Sequence, residues 1–246
     1  PLFGCTSAIT VPPKSETVLH GRNFDYFGVD FWDRFPTVVF HHPDEGYDYV
    51  SITTAGIIGG GITSMNAAGL TFAVHQHYPN RFDLKGVPVG VAGDHVIREA
   101  ATIEEAVEIL KDYPPCSGWT YVMTEGDTGK AAIYEVAAGA DHFRWVDPDE
   151  AAIGYANVYW GENLLDAEVD FYPEFRRCNY ARQDRVAQCL SDDGEKTPVE
   201  IARVIGDLLD PETGKERLLG PTIVNVSTVA SVVFEPEHRR VWVGAG

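Results

Sequence analysis

Basic residues are scarce in this chain. Its 246 residues include 19 Lys and Arg against 37 Asp and Glu, which gives a formal net charge of −18 at pH 7. Adjacent cations occur only as short runs such as Arg176-Arg177 and Arg239-Arg240. Phosphate backbones and anionic membrane surfaces repel such a chain, so we expect neither nucleic acid nor a membrane as a partner. The acidity favours a self-repelling soluble surface, and adaptation to salt is the alternative interpretation.

Long hydrophobic runs are missing as well. No apolar segment has the length of a transmembrane helix, and the start lacks the charged-then-apolar pattern of a secretion signal. We therefore expect a cytoplasmic protein, or one from which an upstream piece has been removed.

Cysteine is the third scarce component, with four in the chain: Cys5, Cys116, Cys178 and Cys189. They form no CxxC pair and no spacing typical of zinc ligands. If Cys5 is a nucleophile, three remain, and an odd number argues against a disulfide framework. Helical spacing places Cys178 and Cys189 on one face, which is typical of buried small hydrophobes.

The stretch that organises the chain is a predicted hairpin near its start. Gly4-Cys5-Thr6-Ser7-Ala8-Ile9 and His20-Gly21-Arg22-Asn23-Phe24-Asp25 flank a turn signal at Pro12-Pro13-Lys14-Ser15. If the loop occupies roughly residues 12 to 16, antiparallel pairing sets Cys5 opposite a residue at about position 22 to 24. A thiol, a guanidinium and a carboxylate then converge at one strand end.

The rest of the chain alternates blocks of strands and helices. Capping boxes at Thr102 and Thr197 begin two amphipathic helices, and further helices are predicted over 93–101 and 176–190. Strand signals cover 37–41, 49–54, 69–77, 120–124, 131–136, 142–146, 153–157, 222–234 and 240–243, while Gly59-Gly60-Gly61 indicates a turn or bulge. This order predicts an α+β layered domain, and 44% hydrophobic residues suffice for one core.

Several of these segments together resemble a known family. Gly4-Cys5-Thr6-Ser7, a short hairpin and Gly21-Arg22-Asn23-Phe24-Asp25 resemble the N-terminal-nucleophile (Ntn) hydrolases with a cysteine nucleophile. The chain is most similar to the isopenicillin N acyltransferase group, and more distantly to choloylglycine hydrolases and acid ceramidases. The similarity continues, in family order, through Ala55-Gly56-Ile57-Ile58-Gly59, Asn66-Ala67-Ala68-Gly69-Leu70, Gly86-Val87-Pro88 and Ala156-Asn157.

The resemblance implies a fold and a processing step. The fold is the αββα four-layer sandwich with two packed antiparallel sheets, in which residues 5–246 form a single domain behind a residual propeptide tail, residues 1–4. Cleavage between Gly4 and Cys5 would expose an α-amine with a pKa of about 7.7 to 8.0, near the working range of a general base. Cys5 would then supply both nucleophile and base, and no cofactor or metal is needed.

Charge suggests roles for two neighbours of Cys5. Arg22 would stabilise the thiolate, and Asp25 would hold the α-ammonium or its hydrogen bonds. Residues three apart face opposite sides of a strand, so the chain must bend after Phe24. The alternative is a structural ion pair between Arg22 and Asp25.

Acyl transfer also needs donors for the tetrahedral oxyanion. The resemblance implies two: the side chain of Asn157, at the end of a predicted strand, and a backbone N–H at about Gln76. Aromatic residues near these segments suggest an acyl pocket, with the candidates Tyr26, Phe27, Trp32, Tyr159 and Trp160.

Rival sites are weaker. His75 and His77 share one face of a strand, but no third metal ligand is signalled. Cys116 lies in a Pro-rich segment without the order of a papain-type site, and is interpreted as a loop thiol. The sequon at Asn225 lies inside an apparent strand, which argues against glycosylation.

These features predict an autoprocessing amidohydrolase in which Cys5 cleaves a linear amide of a small N-acyl or peptide-like substrate through an acyl-enzyme. Transfer of the acyl group to an amine is the near alternative, since sequence does not separate the two. A binding domain with Cys5 unprocessed and buried is the third interpretation, because Pro1-Leu2-Phe3-Gly4 precedes Cys5 in the chain. The oligomeric state is not predicted.

Overall fold

The structure is a computed structural model and describes residues 4–26, 30, 34–56, 60–169 and 173–245. The strands are β1 Thr6–Thr10, β2 Leu19–Asp25, β3 Pro36–His41, β4 Tyr49–Thr54, β5 Thr63–Asn66, β6 Leu70–His77, β7 Gly118–Glu125, β8 Lys130–Ala137, β9 Ala140–Trp145, β10 Ala152–Tyr155, β11 Leu209–Asp210, β12 Lys215–Glu216, β13 Thr228–Glu235 and β14 Arg240–Ala245. The helices are α1 Val89–Glu99, α2 Ile103–Asp112, α3 Glu162–Leu165, α4 Pro173–Leu190 and α5 Pro198–Ile205.

Two antiparallel sheets pack face to face. One has the strand order β10-β1-β2-β13-β14, and the other is a meander in the order β3-β4-β5-β6-β7-β8-β9. Between them lie apolar side chains from both sheets, including Ile9, Ile133 and Ile153 in one cluster and Val50 and Phe234 in another. These side chains alternate along their strands with residues that face the helices, as the strand period requires.

Helices cover the outer face of each sheet. Helices α1 and α2 bury Val96, Ile97 and Ile103 against the meander sheet, while α4 and α5 bury Val186 and Ile201 against the other sheet. Within the described ranges the layers are thus helix, sheet, sheet and helix, and the predicted α+β sandwich is confirmed.

The predicted hairpin is confirmed too. Strands β1 and β2 pair with Thr6 opposite Asn23 and Ser7 opposite Arg22. Strand β1 also pairs with β10, and β2 with β13. The hairpin therefore lies in the middle of its sheet, where β10 and β13 bring distant parts of the chain next to its ends.

Some boundaries differ from the sequence-based expectation. Strand β5 was not predicted, and α1 begins at Val89, directly after Pro88, rather than at Gly93. The last hairpin begins at Thr228 instead of residue 222, because Asn225 Oδ1 accepts the N–H of Ser227 and turns the chain. At Thr102 only half of the predicted capping box forms. Thr102 Oγ1 accepts the N–H of Glu105, but the Glu105 carboxylate accepts the N–H of Ala101 rather than that of Thr102.

The predicted glycine turn has a packing reason at Gly61. A Cβ atom there would overlap the backbone of Gly93 in α1, so glycine allows the turn and the helix to touch. Gly59 lies outside the described residues. Among the described residues, no helix is long and apolar enough to cross a bilayer.

Candidate active site

Cys5 lies one residue before β1, at the end of the central hairpin. Its side chain is buried, and the thiol Sγ lies 4.0 Å from the backbone carbonyl oxygen of Asp25, the last residue of β2. The hairpin register places Thr6 opposite Asn23, so Cys5 and the end of β2 face each other as the pairing argument predicted.

Asn157, which follows β10, is in direct contact with Cys5. Its Oδ1 accepts the backbone N–H of Cys5 at 2.5 Å, and its Nδ2 donates to the carbonyl of Gln76 at 2.8 Å. Asn157 has φ 55°, a left-handed conformation that asparagine tolerates better than most residues. An amide group has two N–H donors, and only one of them is used by Gln76, so the second can serve an oxygen of a bound substrate.

The backbone of Gln76 faces the same place. Val74 N–H donates to the carbonyl of Ile62 at 2.9 Å, which shows that Val74 turns its backbone groups toward β5. Gln76 comes two residues later in β6, so its N–H and carbonyl point to that same side, beyond the start of β5. Asn157 Nδ2 and the Gln76 N–H are therefore two donors beside Cys5.

Asp25 is enclosed and carries a perturbed carboxyl group. Thr228 Oγ1 donates to Asp25 Oδ1 at 2.7 Å, and Asn225 Nδ2 donates to Oδ2 at 3.3 Å. Burial raises the pKa of Asp25 to about 6, although the charge of Arg182 and these hydrogen bonds oppose the rise. A carboxyl group that titrates near neutral pH can take or give a proton.

Arg182 in α4 is the residue that sequence reasoning missed. It is fully buried, and its Nη1 donates to the carbonyl of Cys5 at 3.0 Å and to Thr6 Oγ1 at 2.7 Å. Its Nη2 donates to Asn179 Oδ1 at 2.8 Å and lies 3.3 Å from Asn157 Oδ1. Burial lowers the pKa of Arg182, while Asp25 and Cys5 nearby favour its charged form.

Gly4 packs directly on this arginine. A Cβ atom at Gly4 would lie 2.7 Å from the guanidinium carbon of Arg182. Glycine at this position has a steric reason: any side chain there would displace the group that holds the Cys5 carbonyl.

A cavity of about 220 Å³ opens beside Cys5 and Asp25. Apart from Asp25, the described side chains in its wall are uncharged, and most are apolar or aromatic: Phe24, Tyr26, Ile62, Val74, Tyr78, Val89, Trp119 and Phe175. Val74, Val89 and Trp119 also contact the core under α1 and α2, so the cavity runs from Cys5 toward the layer between the meander sheet and those helices. Such a wall suits an apolar group.

The sequence profile of one family matches nearly all of the chain. It is described as acyl-coenzyme A:6-aminopenicillanic acid acyl-transferase and matches residues 12–246. The chain belongs to this family. The match begins after Cys5, so it does not include the residue that the sequence of this acyltransferase-family chain predicts as nucleophile.

The relatives of this family member are distant. An uncharacterized protein of Archaeoglobus fulgidus is 25% identical over 154 residues, which are 60% of this chain and 24% of that protein. The chain therefore spans about a quarter of the length of this curated relative.

Solved structures share the fold. An N-acylethanolamine-hydrolyzing acid amidase ortholog from Caenorhabditis elegans is similar with a TM-score of 0.66 and 15% identity, over 98% of this chain and 100% of that one. A variant of the conjugated bile acid hydrolase from Clostridium perfringens is similar with a TM-score of 0.57 and 14% identity, over 99% of this chain and 89% of that one. At these identities the likeness establishes the Ntn-hydrolase fold that the sequence predicted.

In this acyltransferase-family structure the hydrogen bonds of Arg22 go to the meander sheet, and its role at the thiolate stays a prediction. Arg22 is buried between the sheets, where Nη2 donates to the Val74 carbonyl at 2.6 Å and Nη1 lies 3.2 Å from His75 Nε2. The guanidinium in hydrogen-bond contact with Cys5 is that of Arg182. The alternative of an Arg22–Asp25 ion pair is wrong, since the hydrogen bonds of the Asp25 carboxylate come from Thr228 and Asn225.

The aromatic residues predicted to form the acyl pocket lie in different places. Tyr26 lies in the cavity wall, whereas Phe27 and Trp32 lie outside the described residues. Tyr159 requires a correction: it is buried away from the cavity, stacks on His77 with ring centroids 3.7 Å apart, and donates to the Val136 carbonyl. Trp160 binds the side chain of Gln183 instead.

The rival sites have ordinary partners. His75 Nε2 lies 2.9 Å from Ser7 Oγ, and His77 contacts Thr120 and Tyr155. Burial holds the pKa of His75 well below its usual range, so it is neutral. In the described ranges, no group of three or more His, Cys, Asp or Glu side chains is placed to hold a metal. The sequon asparagine, Asn225, is buried against Asp25 rather than in a strand.

One sequence signal could have found Arg182. In α4 the buried positions Cys178, Asn179, Arg182 and Val186 follow helical spacing. An arginine within such a buried stripe is costly unless it is paired, so its presence indicates a functional or bound partner. That partner is Cys5, 177 residues away along the chain, which no local pattern reveals.

Proposed function

We propose that this chain is an amide-cleaving enzyme that first cuts itself between Gly4 and Cys5 and then uses Cys5 as nucleophile on a linear N-acyl amide. The observation that carries the proposal is the contact between Cys5 and Asn157. One amide group accepts the N–H of Cys5 at 2.5 Å and also donates beside the cavity that the Cys5 thiol lines. The nitrogen of Cys5 is therefore already held where an α-amine base would act.

Self-cleavage follows from these positions. The Cys5 thiol attacks the carbonyl carbon of Gly4, the Gly4–Cys5 C–N bond breaks, and the proton of the thiol passes to the departing nitrogen. Asp25, with its pKa of about 6, is the titratable carboxyl in the same cavity and can relay that proton. Water then hydrolyses the thioester and releases the upstream segment, which leaves Cys5 with a free α-amine.

Turnover repeats the chemistry on a bound amide. The α-amine accepts the thiol proton, Sγ attacks the acyl carbonyl, and the oxyanion accepts hydrogen bonds from Asn157 Nδ2 and the Gln76 N–H. The amine product leaves with that proton, and water resolves the acyl-enzyme. These steps use only groups of the protein and water.

The two arginines have separate roles in this scheme. Arg182 fixes the carbonyl of Cys5 and supplies positive charge beside the thiolate. Arg22, which the sequence placed at the thiolate, instead binds the Val74 carbonyl and so supports β6, the strand that carries Gln76.

The substrate is a linear amide with an uncharged, apolar acyl group, because the described cavity wall contains one ionisable carboxyl and many apolar side chains. Transfer of the acyl group to an amine remains the second candidate, and membership of the acyltransferase family favours it. A binding domain with Cys5 uncut is the non-enzymatic outcome of the test below.

The test compares the parent with Cys5→Ala, and uses Cys116→Ala as the matched control for loss of a thiol. The purified chains are incubated at neutral pH, and their intact mass and N-terminal sequence are measured. They are then assayed on a series of N-acyl amides of increasing acyl length, with and without hydroxylamine as an acceptor.

We expect the parent and Cys116→Ala to begin at Cys5 and to turn over, while Cys5→Ala stays uncut and loses activity by more than about 1,000-fold. Hydroxamate formation in place of free acid would favour acyl transfer. Turnover that survives in Cys5→Ala overturns the nucleophile assignment. An uncut parent that binds amides without cleaving them identifies a binding domain.

A further inference from the structure

A second carboxylate, that of Glu135 on β8, is fully buried behind the candidate active site. Its Oε1 accepts the hydroxyl of Tyr155 at 3.0 Å and the N–H of Trp160 at 2.9 Å. Its Oε2 lies 3.0 Å from the same Trp160 nitrogen and accepts the N–H of Gly161 at 2.8 Å. Glu135 does not line the cavity.

These partners flank Asn157 on both sides. Tyr155 ends β10 two residues before Asn157, and Trp160 and Gly161 follow it by three and four residues. The segment between them includes the left-handed backbone of Asn157. A single carboxylate therefore holds both ends of the loop that carries the proposed oxyanion donor.

The charge of Glu135 is balanced by these donors alone. Among the described residues no Lys or Arg side chain is paired with it, and two backbone N–H groups and one hydroxyl take that place. Burial and then the Glu135 charge raise the pKa of Tyr155 well above its usual value, so this hydroxyl keeps its proton and stays a donor. Burying a carboxylate without a cation costs free energy of folding. A residue that only anchors a loop does not need to be a carboxylate.

The same network reaches the other oxyanion donor. The Tyr155 hydroxyl lies 3.0 Å from His77 Nε2, and Thr120 Oγ1 lies 2.9 Å from that nitrogen. His77 follows Gln76 directly in β6, and Gln76 in turn binds Asn157 Nδ2. Both donors are thus connected to Glu135 within the core.

We propose that Glu135 is a positioning residue that sets Asn157, and through Tyr155 and His77 the Gln76 backbone, in the geometry that stabilises the oxyanion. The inference rests on the proposed function. It predicts that neutralising Glu135 acts on the chemical step while leaving substrate binding nearly unchanged, because Glu135 lies outside the cavity.

The experiment uses Glu135→Gln, with Glu125→Gln as matched control. Glu125 is also buried, and its carboxylate accepts the N–H of Ile103 at 3.0 Å and the hydroxyl of Thr128 at 2.8 Å. Both variants remove one buried carboxylate that accepts a backbone N–H. In Glu135→Gln the new amide N–H faces a backbone donor, whereas in Glu125→Gln it can donate to the Thr128 hydroxyl. Glu125 serves the start of α2, far from Asn157 in the chain. Stability is measured for each by urea unfolding.

Three readouts separate positioning from loss of stability: kcat against KM on the best amide of the series, alkylation of Cys5 by iodoacetamide, and hydrogen exchange in peptides covering 153–161. For Glu135→Gln we expect kcat to fall at least tenfold with KM within about twofold, since a displacement near 1 Å at a catalytic group can cost about 100-fold. Alkylation should stay within about twofold of the parent, and exchange at 153–161 should rise.

For Glu125→Gln, kcat and exchange at 153–161 should match the parent, whatever loss of stability the urea unfolding shows. Equal kcat in the two variants, or unchanged exchange in Glu135→Gln, overturns the inference. Hydrogen exchange can be measured without turnover. If the parent hydrolyses no amide, the proposed function is refuted, but exchange at 153–161 still shows whether Glu135 positions the Asn157 loop.

Discussion

Asp25 has a carboxyl group that affects stability and is also the proton relay of the proposed function. Its carboxyl group is buried, receives hydrogen bonds from Thr228 and Asn225, and has a pKa of about 6 against an ordinary 3.8. Because the folded pKa is raised, the folded state favours the protonated form. The contribution of Asp25 to stability is present in full below about pH 4 and is lost as pH rises through 6.

This gives a prediction for Asp25→Asn, made in the uncleavable Cys5→Ala background. The amide imitates the protonated carboxyl, so we expect the free energy of unfolding at pH 7.5 to exceed that of the background by about 3 kcal/mol, from a rise of about two pKa units. The gain should vanish at pH 4. Urea unfolding at both pH values measures it.

Asp210→Asn is the control of opposite sign. Asp210 is also buried, but backbone hydrogen bonds from Glu212 and Thr213 outweigh burial and hold its pKa below the ordinary value. That variant should lose stability at pH 7.5. If Asp25→Asn is destabilised at pH 7.5 as well, the raised pKa of Asp25 is refuted.

At this scale the sequence predicted the residues whose neighbours are close in the chain or lie at strand ends. Cys5 and Asp25 end paired strands, so the hairpin alone brings them together. Arg182 and Glu135 have no such local pattern, because the contacts with Cys5, Tyr155 and Gly161 that define them join residues 20 or more positions apart. Arg22 lies on the same face of the hairpin as Cys5, but its guanidinium binds the Val74 carbonyl, 52 residues away in the sequence, a contact that charge type does not indicate.

Among the elements, α5 and β2 meet most closely at Gly21. A Cβ atom there would lie 2.5 Å from Ile201 Cγ2 and 2.9 Å from Ile205 Cγ2, so the absence of a side chain lets the helix pack onto the central hairpin. Both isoleucines belong to the buried core of that layer.

We therefore expect Gly21→Ala to reduce the free energy of unfolding by about 1 to 3 kcal/mol, the usual cost of overpacking a core. Gly244→Ala is the matched control, since its Cβ would meet nothing closer than 3.7 Å. That variant should stay within about 1 kcal/mol of the parent. Urea midpoints measure both, and equal midpoints would show that α5 shifts without cost.

Periodicity predicted the existence of most helices and strands but not all boundaries. The apolar stripes of α2 and α5 and the alternation in β6 to β8 are strong because one face of each element is buried. Strand β5 was not predicted, because Thr63–Asn66 is short and buried on both faces and so lacks the alternation of apolar and polar residues. The shift at Thr228 came from side-chain bonding by Asn225, which a pattern of residue types does not contain.

For the whole molecule the dominant quantity is the net charge of −18. Its carboxylates repel one another over distances comparable to the Debye length, which is about 30 Å at 0.01 M salt and about 3 Å at 1 M. Each exposed ion pair contributes little to the free energy of unfolding. Screening of these pairs by salt therefore costs less stability than screening of the repulsion between carboxylates adds.

We expect the free energy of unfolding to rise by about 1 to 2 kcal/mol between 10 and 500 mM salt, as screening removes this repulsion. Thermal or urea unfolding in NaCl and in KCl measures the effect, and the two salts should agree if screening is the cause. A fall in stability with salt would show that the ion pairs dominate, and a steep rise limited to molar salt would favour adaptation to salt.

The distances along the chain between the groups of the candidate site also bear on how this protein is made. Asp25 is held by Thr228, 203 residues later, and Cys5 by Arg182, 177 residues later. Of the groups of the candidate site, Cys5 emerges first during translation, and Arg182 and Thr228 emerge last. A nascent or truncated chain that ends before residue 228 lacks a complete site, so under the proposed function the protein stays dormant until its synthesis has passed that point.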